Sequence, residues 1–319
     1  MGFKGKDVHV DVALSNVAIA YMPEGMIAEL ICPVVQVQKQ SDAYSIWSQA
    51  DMFRTEDDKR AAGTEANKIT RSISSGTYFA DNYALKDNIP YEDIENADAG
   101  FLFTTRQSRV EYIKSKLLLN MEYRVALQCT STSNVGSSTT VGSAWTTFTN
   151  GNSDPYGDLV TGINVVYDTT GYRPNRILFG EYAWRNWKRH ADVIDLIYGN
   201  VDKGRSARVV TREQAAALLE IDQVLVGGAY YNTNDEGQSA ELSQIWNDNV
   251  LIYYAPMKAS KDKPSFMYGF RWTKLMNMQA KIYQDEKAGA EEVQLGYYQD
   301  EVITAKYLGF LIKGVGSSQ

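Results

Sequence analysis

The chain has 319 residues, 44% of them hydrophobic and 22% charged, which is typical of a folded protein large enough to bury a sizeable core in two lobes. Its formal net charge of −7 excludes a globally basic protein that attracts nucleic acid through its overall field. The two cysteines, Cys32 and Cys129, form neither a disulfide framework nor a metal pattern, so we expect a reducing compartment.

The sequence shows no targeting or membrane signal. No apolar segment follows the basic residues Lys4 and Lys6, as it would in a signal peptide. The longest aliphatic runs, such as residues 117–119, are far shorter than a membrane span. We therefore expect a soluble, intracellular protein.

Residues 1–40 are predicted to form an extended N-terminal arm with scattered apolar anchors. Pro23 and Pro33 interrupt this segment, so only a short helix near residues 24–30 is compatible with it.

Residues 41–95 are the most informative segment and predict a long ribbon that ends near Pro90. Its limbs, residues 43–49 and 68–73, alternate like strands, and the tip at residues 57–64 is polar and rich in Gly and Ala. Each limb has too few apolar residues to build a core, and an isolated two-stranded ribbon is marginal in water. We therefore expect the ribbon to lie on another molecule, namely a neighbouring copy of the chain.

A long amphipathic helix is predicted at about residues 98–130. Apolar residues recur at spacings of three and four along one face, namely Val110, Ile113, Leu117, Met121 and Val125. At about 1.5 Å per residue the helix is a rod of roughly 40 Å, which favours a structural spine.

The rest of the chain predicts a second lobe and then β-structure. Residues 130–153 are rich in Ser, Thr and Gly and predict a surface loop. The Asp154-Pro155 pair and the capping box at Thr211–Gln214 predict helix N-termini. Short strands are predicted at 175–180, 223–226 and 250–254, a Gly/Asn/Asp-rich loop at 227–240, and several strands after residue 264.

No motif indicates catalysis or metal binding, so we predict a protein that is not an enzyme and needs no cofactor. His9 and His190 have no partner at ligand spacing. Residues 136–143 lack the lysine of a phosphate loop, and residues 232–237 resemble a calcium loop but have Ser243 where its glutamate belongs. Adjacent carboxylates such as Glu291 and Glu292 are expected to be solvated rather than catalytic.

The order of these parts resembles the major capsid protein of tailed bacteriophages, which has the Hong Kong 97-type fold. The resemblance spans the whole chain in layout and is most specific in residues 10–130. It is carried by Asp11–Tyr21, Met26–Val37, Tyr44–Trp47, Met52–Arg54 and the long helix after Asp98.

The resemblance implies an α+β, Hong Kong 97-like capsid fold. Its parts are an N-arm (1–40), an extended β-hairpin loop or E-loop (41–95), the spine helix and linker of a peripheral domain (96–153), an α/β axial domain (154–263), and peripheral-domain strands with the C-terminus (264–319). The implied inter-subunit contacts of the E-loop are Tyr44, Trp47, Phe53, Arg54, Lys59, Arg60, Lys68 and Arg71. The implied loop at the capsomer axis lies within 229–240 and includes Tyr230, Tyr231, Asn232 and Asn234.

The implied function is a shell of pentamers and hexamers that encloses phage double-stranded DNA, assembled in the bacterial host cytoplasm and located in the virion. Implied partners are the chain itself, a portal, weakly and non-specifically contacted DNA, and a cement or decoration protein, with no membrane. Because the arm starts almost at Met1, a separate scaffolding protein is expected. Lys59 and Lys68 lie in the ribbon, but nothing marks a cross-linking partner.

Two alternatives remain open at this point. An encapsulin-like nanocompartment shell protein has the same fold but packages a cargo enzyme. The many Trp and Tyr residues also suit a non-assembling α/β hydrolase or carbohydrate-binding protein. A monomer or small oligomer in size-exclusion chromatography would favour the latter, and megadalton particles would exclude it.

Overall fold

The computed structural model describes residues 9–10, 14–15, 18, 25–47, 53–55, 58–60, 62–69, 73–96, 99–146, 153–199, 208–235 and 237–316. The strands in this part of the chain are β1 His9–Val10, β2 Val34–Val37, β3 Ser41–Trp47, β4 Ile73–Phe79, β5 Asp81–Pro90, β6 Ser137–Thr140, β7 Arg176–Gly180, β8 Gln223–Gly227, β9 Tyr230–Asn232, β10 Leu242–Gln244, β11 Val250–Tyr253, β12 Met267–Asp285, β13 Ala290–Ile303 and β14 Gly309–Lys313. The α-helices are α1 Ala28–Ile31, α2 Tyr91–Glu95, α3 Ala99–Cys129, α4 Pro155–Thr170, α5 Glu181–Trp187, α6 Ala191–Tyr198 and α7 Arg212–Leu219.

The predicted spine is α3, a helix of 31 residues. The apolar stripe predicted from its periodicity is buried at every position, namely Val110, Ile113, Leu117, Met121 and Val125. This stripe packs in one core with residues of β12 and β13 and with the short helix α1. The prediction of the spine helix is therefore confirmed.

A sheet of long antiparallel strands lies against the spine in the order β1–β12–β13–β5, and β2 pairs in parallel with β12. The ladder between β12 and β13 shifts register twice, between Trp272 and Asn277 and again between Asn277 and Gln279, and the first shift is the larger. Trp272 lies opposite Tyr298 and Asn277 opposite the adjacent Tyr297, so the intervening residues 273–276 have no partner on β13. This is a large β-bulge, with β2 paired before it and β1 after it.

The second lobe is a five-stranded sheet in the order β6–β14–β11–β7–β8, packed with helices. Asp154 caps α4 by accepting a hydrogen bond from Gly157 N at 2.8 Å, and Pro155 follows at the first helical position. Thr211 and Gln214 form a capping box at the start of α7. The predicted helix starts are confirmed, as are the strands β7, β8 and β11.

Three segments differ from the sequence-based expectations. Residues 81–90 were predicted to be part of the ribbon, but they form β5, the edge strand that pairs with β13. Residues 137–140 lie in the predicted surface loop, but they form β6, which pairs in parallel with β14. Residues 230–232 lie in the predicted loop at 227–240, but they pair with β10 as a short hairpin. For β5 and β6 a partner distant in sequence supplies hydrogen bonds that the local pattern does not reveal, whereas β9 pairs with the nearby β10.

Candidate assembly interface

The hairpin consists of β3, β4 and the residues between them. The two strands pair in antiparallel register from Ser41 opposite Phe79 to Trp47 opposite Ile73. The falling limb therefore forms strand from Ile73 onward, later in the sequence than predicted, and the paired ribbon ends before β5. An antiparallel ribbon without a third strand needs support from elsewhere.

Aromatic stacking on the main sheet supports the base of the hairpin. The rings of Tyr44 and Tyr78 stack on Phe270 of β12, with centroid distances of 5.3 and 4.5 Å. The ammonium of Lys261 lies 5.2 Å from the centre of the Tyr78 ring. Tyr44 was predicted to contact a neighbouring subunit, but it is buried within its own chain and offers little area to a second copy.

Gly76 allows this packing because the ring of Tyr44 crosses directly over it. A Cβ atom at Gly76 would lie 2.4 Å from the Tyr44 ring, closer than real Cβ contacts come. A glycine in the middle of a strand weakens it, but here it opens the space in which an aromatic side chain from the paired strand lies.

Two hydrogen bonds also hold the hairpin base and the residues just before it to the main sheet. Phe79 N donates to Asp300 Oδ2 on β13 at 2.9 Å, and the Trp272 indole N–H donates to the Gln38 carbonyl at 3.0 Å. Burial raises the pKa of Asp300, and the hydrogen bond from Phe79 opposes this rise. The hairpin base is thus part of the folded chain.

The hairpin tip, meaning the described residues between 53 and 69, is in contrast exposed throughout. It contains five predicted contact residues, and all five are exposed, namely Phe53, Arg54, Lys59, Arg60 and Lys68. Ile69 has a larger exposed fraction than Phe53, the other large apolar residue described in the tip, with 71% of its area accessible. The side chain of Trp47 and the whole of Arg71 lie outside the described residues.

Phe53 is the tip residue that contacts the second lobe of its own chain. Its ring lies edge-on to Tyr172 with a centroid distance of 6.4 Å. It also covers Gly171, the left-handed residue that ends α4, where an added Cβ would meet the Phe53 ring at 2.7 Å. More than half of the Phe53 side chain remains exposed.

The residues predicted at the capsomer axis belong to the β9–β10 hairpin. Tyr230 accepts a hydrogen bond from Gln244 at 2.7 Å, and the Tyr231 ring lies 5.0 Å from that of Tyr123 on the spine helix. Asn232 Oδ1 accepts hydrogen bonds from the backbone of two loop residues, and Asn234 Nδ2 donates to the Ser239 carbonyl. The structure brings these four residues together in one short turn beside the spine.

Sequence reasoning missed the buried carboxylate of Glu122, which joins the arm to the spine. Its Oε2 accepts hydrogen bonds from Ile27 N at 2.9 Å and Ala28 N at 2.6 Å, and its Oε1 accepts one from the Trp246 indole at 2.5 Å. Burial raises the pKa of Glu122, and these three donors counteract the rise. The available signal was a single acidic residue flanked by the apolar stripe of the spine.

Ion pairs between the spine and the sheet were also missed. Arg124 forms a bidentate pair with Glu301, at 2.9 and 3.2 Å, and its guanidinium lies 3.8 Å from the centre of the Tyr83 ring. Arg106 forms a second bidentate pair with Glu291, at 2.6 and 2.7 Å. Glu291, which we expected to be solvated, is instead buried because the sheet faces the helix.

The other candidates for chemistry are structural where they are described. His190 is fully buried, caps α6 by accepting from Asp192 N, and lies 3.0 Å from Ser153 Oγ. In the described ranges, no group of three His, Cys, Asp or Glu side chains could hold a metal ion. Among the same residues, no helix has the length and apolar character needed to cross a membrane.

Similarity in sequence points to phage capsids. No family model matches the chain. It is 28% identical over 279 residues to a major capsid protein of Burkholderia phage BcepMu, covering 85% of this chain and 86% of the relative. It is 24% identical over 310 residues to a major capsid protein of Pseudomonas phage JBD67, covering 95% of this chain and 96% of the relative.

Similarity in structure points to the same fold. A phage-related protein from Bordetella bronchiseptica RB50 superposes with a TM-score of 0.74 at 19% identity, covering 97% of this chain and 98% of that one. The capsid structure of Cyanophage P-SCSP1u gives 0.59 at 9% identity, with coverages of 99% and 93%. The SrpI encapsulin from Synechococcus elongatus gives 0.50 at 10% identity, with coverages of 100% and 98%. The Hong Kong 97-type fold is therefore confirmed, and the chain is a homologue of phage major capsid proteins.

Proposed function

We propose that the chain is a major capsid protein that assembles with copies of itself into the icosahedral shell around phage double-stranded DNA. The observation that carries this proposal is the hairpin, whose base is anchored in its own chain while its tip is exposed, on a fold shared with phage capsids. The two curated relatives named major capsid protein support it from the sequence.

The proposed mechanism of assembly is additive. Each arm and each hairpin tip contributes a modest contact to a neighbouring copy, and closed symmetry multiplies these contacts over the shell. The exposed residues Arg54, Lys59, Arg60 and Lys68 and the aromatic ring of Phe53 are our candidates for the contact surface. We leave Tyr44 out of this surface because it is buried in its own chain.

The proposed role is structural rather than enzymatic, with no cofactor. We propose assembly in the bacterial host cytoplasm with a separate scaffolding protein and a portal, and reinforcement by a cement or decoration protein. A net charge of −7 suits a wall that contains DNA through weak, non-specific contact. We also propose that the lobe at about 154–263 is the axial domain, with Tyr230, Tyr231, Asn232 and Asn234 near the capsomer axis.

An encapsulin-like compartment is the second candidate, and it is favoured by the fold similarity to the SrpI encapsulin. The relatives found by sequence favour the phage reading, because both are phage major capsid proteins. Terminase and portal genes beside the gene would support the phage capsid. A neighbouring cargo enzyme with a targeting tail would support the compartment.

Deletion of residues 54–66 tests the proposed function. The described residues of this segment are exposed, so the deletion removes no core and should leave a soluble, folded subunit that forms no closed shells. Circular dichroism checks the fold, and size-exclusion chromatography with electron microscopy checks the particles. A variant in which the same residues are replaced by Gly and Ser separates the length of the tip from its chemistry. Normal particles after the deletion would contradict the proposal.

A further inference from the structure

A groove opens between the hairpin base and the second lobe. It has a volume of about 110 Å³. Its lining comes from three separate parts of the chain, namely Tyr44 and Ile46 on β3, Tyr172 just after α4, and Tyr307 and Leu308 just before β14. Because one chain supplies all these side chains, the groove is a feature of the single subunit.

The surface inside the groove is mainly aromatic. Tyr268 and Phe270 also line it, and both are buried. The Tyr268 phenol donates to the Lys263 carbonyl at 3.1 Å, and the hydroxyls of Thr170 and Thr304 donate to backbone carbonyls at 2.6 and 2.7 Å. Since these polar groups have partners inside the chain, a ligand gains most from burying apolar surface against the rings. Apolar cavities of about 150 Å³ take up benzene, so the groove has room for about one ring.

The charged side chains at the groove are both positive, namely Lys261 and Lys263, and no acidic residue is among its described lining. The Lys261 ammonium lies 3.9 Å from Asp42 and 5.2 Å from the centre of the Tyr78 ring, so other groups already compensate its charge. Lys263 is exposed and forms no ion pair with any residue that the structure describes. An uncompensated ammonium beside an aromatic groove favours a ligand that has a ring and one negative charge.

We propose that the groove binds a small aromatic carboxylate, with the ring between β3 and the second lobe and the carboxylate beside the ammonium of Lys263. Such a site is independent of the proposed function, because a single chain forms it and its ligand is a small molecule. A ligand in the groove contacts the hairpin and the second lobe at once, so it holds the hairpin base in place. Farther along the hairpin, Phe53 makes a contact of the same kind with Tyr172.

Titration of the unassembled full-length chain with 3-phenylpropanoate tests the site, with the neutral amide of the same acid as the comparison ligand. Ligand-observed NMR measures both dissociation constants. A ligand of about 11 non-hydrogen atoms should bind with a Kd in the low-millimolar range or tighter. The absence of saturable binding up to about 20 mM would overturn the proposal. The proposed function would then still stand, because this measurement involves no particles.

The charge of the ligand gives the next readout. At low ionic strength the acid should bind about threefold or more tightly than the amide, because an exposed ion pair adds a modest attraction that salt screens. Lys263→Gln should remove this preference and leave the affinity for the amide unchanged. Lys258→Gln is the matched control, since Lys258 is an exposed lysine of the same loop that does not line the groove. Equal effects of the two variants would overturn the assigned role of Lys263.

The aromatic wall is tested in the same way. Tyr307→Ala should weaken the binding of both acid and amide about threefold or more, because the ring of the ligand loses an aromatic neighbour. Tyr167→Ala is the matched control. Tyr167 is 51% exposed and Tyr307 is 52% exposed, but Tyr167 lies on α4 outside the groove. Equal losses of affinity in the two variants would overturn the groove as the binding site.

Hydrogen exchange tests whether the ligand holds the hairpin. Saturating 3-phenylpropanoate should slow the exchange of backbone amides in β3, which lines the groove, and should leave β9 and β10 unchanged. Unchanged exchange in β3, or an equal slowing in both hairpins, would contradict a ligand that bridges the hairpin base and the second lobe.

Discussion

At the scale of single residues, Glu122 connects the arm to the spine. Its carboxylate accepts the first two backbone N–H groups of the α1 turn and the indole of Trp246, and it is fully buried. The first N–H groups of a helix have no partner inside the helix, and an oxygen of the Glu122 side chain satisfies two of them here. One side chain therefore fixes where the arm meets the spine.

Glu122→Gln should lower the free energy of unfolding by about 1–3 kcal/mol. The amide has one acceptor oxygen, so either the indole or the backbone N–H groups face an NH₂ group and lose their acceptor. Glu111→Gln is the matched control, because Glu111 is a partly exposed residue on the same helix and its loss should cost within about 0.5 kcal/mol. Urea unfolding followed by tryptophan fluorescence measures both. Equal stability of the two variants would contradict the role of Glu122.

The same residue predicts a pH dependence. Because burial raises the pKa of Glu122, the folded chain keeps this proton to a higher pH than the unfolded chain does. Protonated Glu122 contributes its full stability at a pH below the pKa of a glutamate in the unfolded chain, which is about 4.3. This contribution is lost as the pH rises through the higher pKa that Glu122 has in the folded chain. The stability advantage of the wild type over Glu122→Gln should therefore shrink as the pH rises above about 4.3.

The measurement is a series of unfolding curves for both proteins at increasing pH. Asp158 and Asp300 also have raised pKa values, but they are present in both proteins and cancel in the difference. A difference that stays constant with pH would show that Glu122 does not titrate in this way.

At the scale of elements, the spine is fixed to the sheet by charge as well as by apolar packing. Arg106 and Arg124 are 18 residues apart on α3, and each pairs with a nearly buried glutamate on β13. Paired charges of this kind contribute little net stability compared with an apolar pair, but the loss of one partner is costly because the other charge remains buried. The two pairs therefore define the register of helix on sheet.

Arg124→Met should destabilise the chain by about 3–5 kcal/mol, because Glu301 stays buried without its partner. The double variant Arg124→Met, Glu301→Met should recover most of this loss. Arg109→Met is the control, since the Arg109–Asp87 pair is partly exposed and should be worth at most about 1 kcal/mol. Chemical unfolding measures all three, and a double variant no more stable than the single one would refute the explanation.

Sequence patterns predict those helices and strands that are determined by residues close together in the chain. The buried stripe of α3 follows from its period, and the N-terminus of α4 follows from Asp154 before a proline. β5 escaped prediction because Asp81 and Asp87 interrupt the face that carries Ile89, and the partners of its charged residues, such as Arg109 for Asp87 and Glu292 for Lys86, lie on other elements. β6 escaped because Ser and Thr at a sheet edge have the composition of a linker.

The candidate site was predictable to a similar degree. The exposed tip follows from its polar, Gly-containing sequence, whereas residues 68–69, predicted as part of the falling strand, precede the paired strand and are exposed. The burial of Tyr44 was not predictable, because it depends on Gly76 across the hairpin and on Phe270 more than 200 residues away. Such contacts depend on how distant parts of the chain are brought together in the fold, and the pattern of neighbouring residues in the sequence does not reveal this.

At the scale of the whole molecule, β14 joins the two lobes. Leu311 packs in the core that contains the spine, whereas Phe310 and Ile312 on the opposite face pack in the core of the second lobe. Successive side chains of a strand point to opposite faces, so one strand serves both cores. The two lobes should therefore unfold together rather than as independent domains.

Leu311→Ala should destabilise both lobes together by about 2–5 kcal/mol, because it leaves a cavity where the two cores meet. Hydrogen exchange read by mass spectrometry should show the same loss of protection in the buried parts of α3 and of β7. Ile177→Ala is the comparison, since Ile177 is equally buried but belongs to the second core alone. Loss of protection in the second lobe only, after Leu311→Ala, would contradict the coupling.

The bulge at residues 273–276 has a consequence for how the chain tolerates change. Since these residues are outside the ladder with β13, extra residues added here would leave the pairing on either side in register. Lys274 and Leu275 are exposed, so the added residues would project into solvent. The site is therefore suited to splicing in a foreign peptide without disturbing the sheet that lies against the spine.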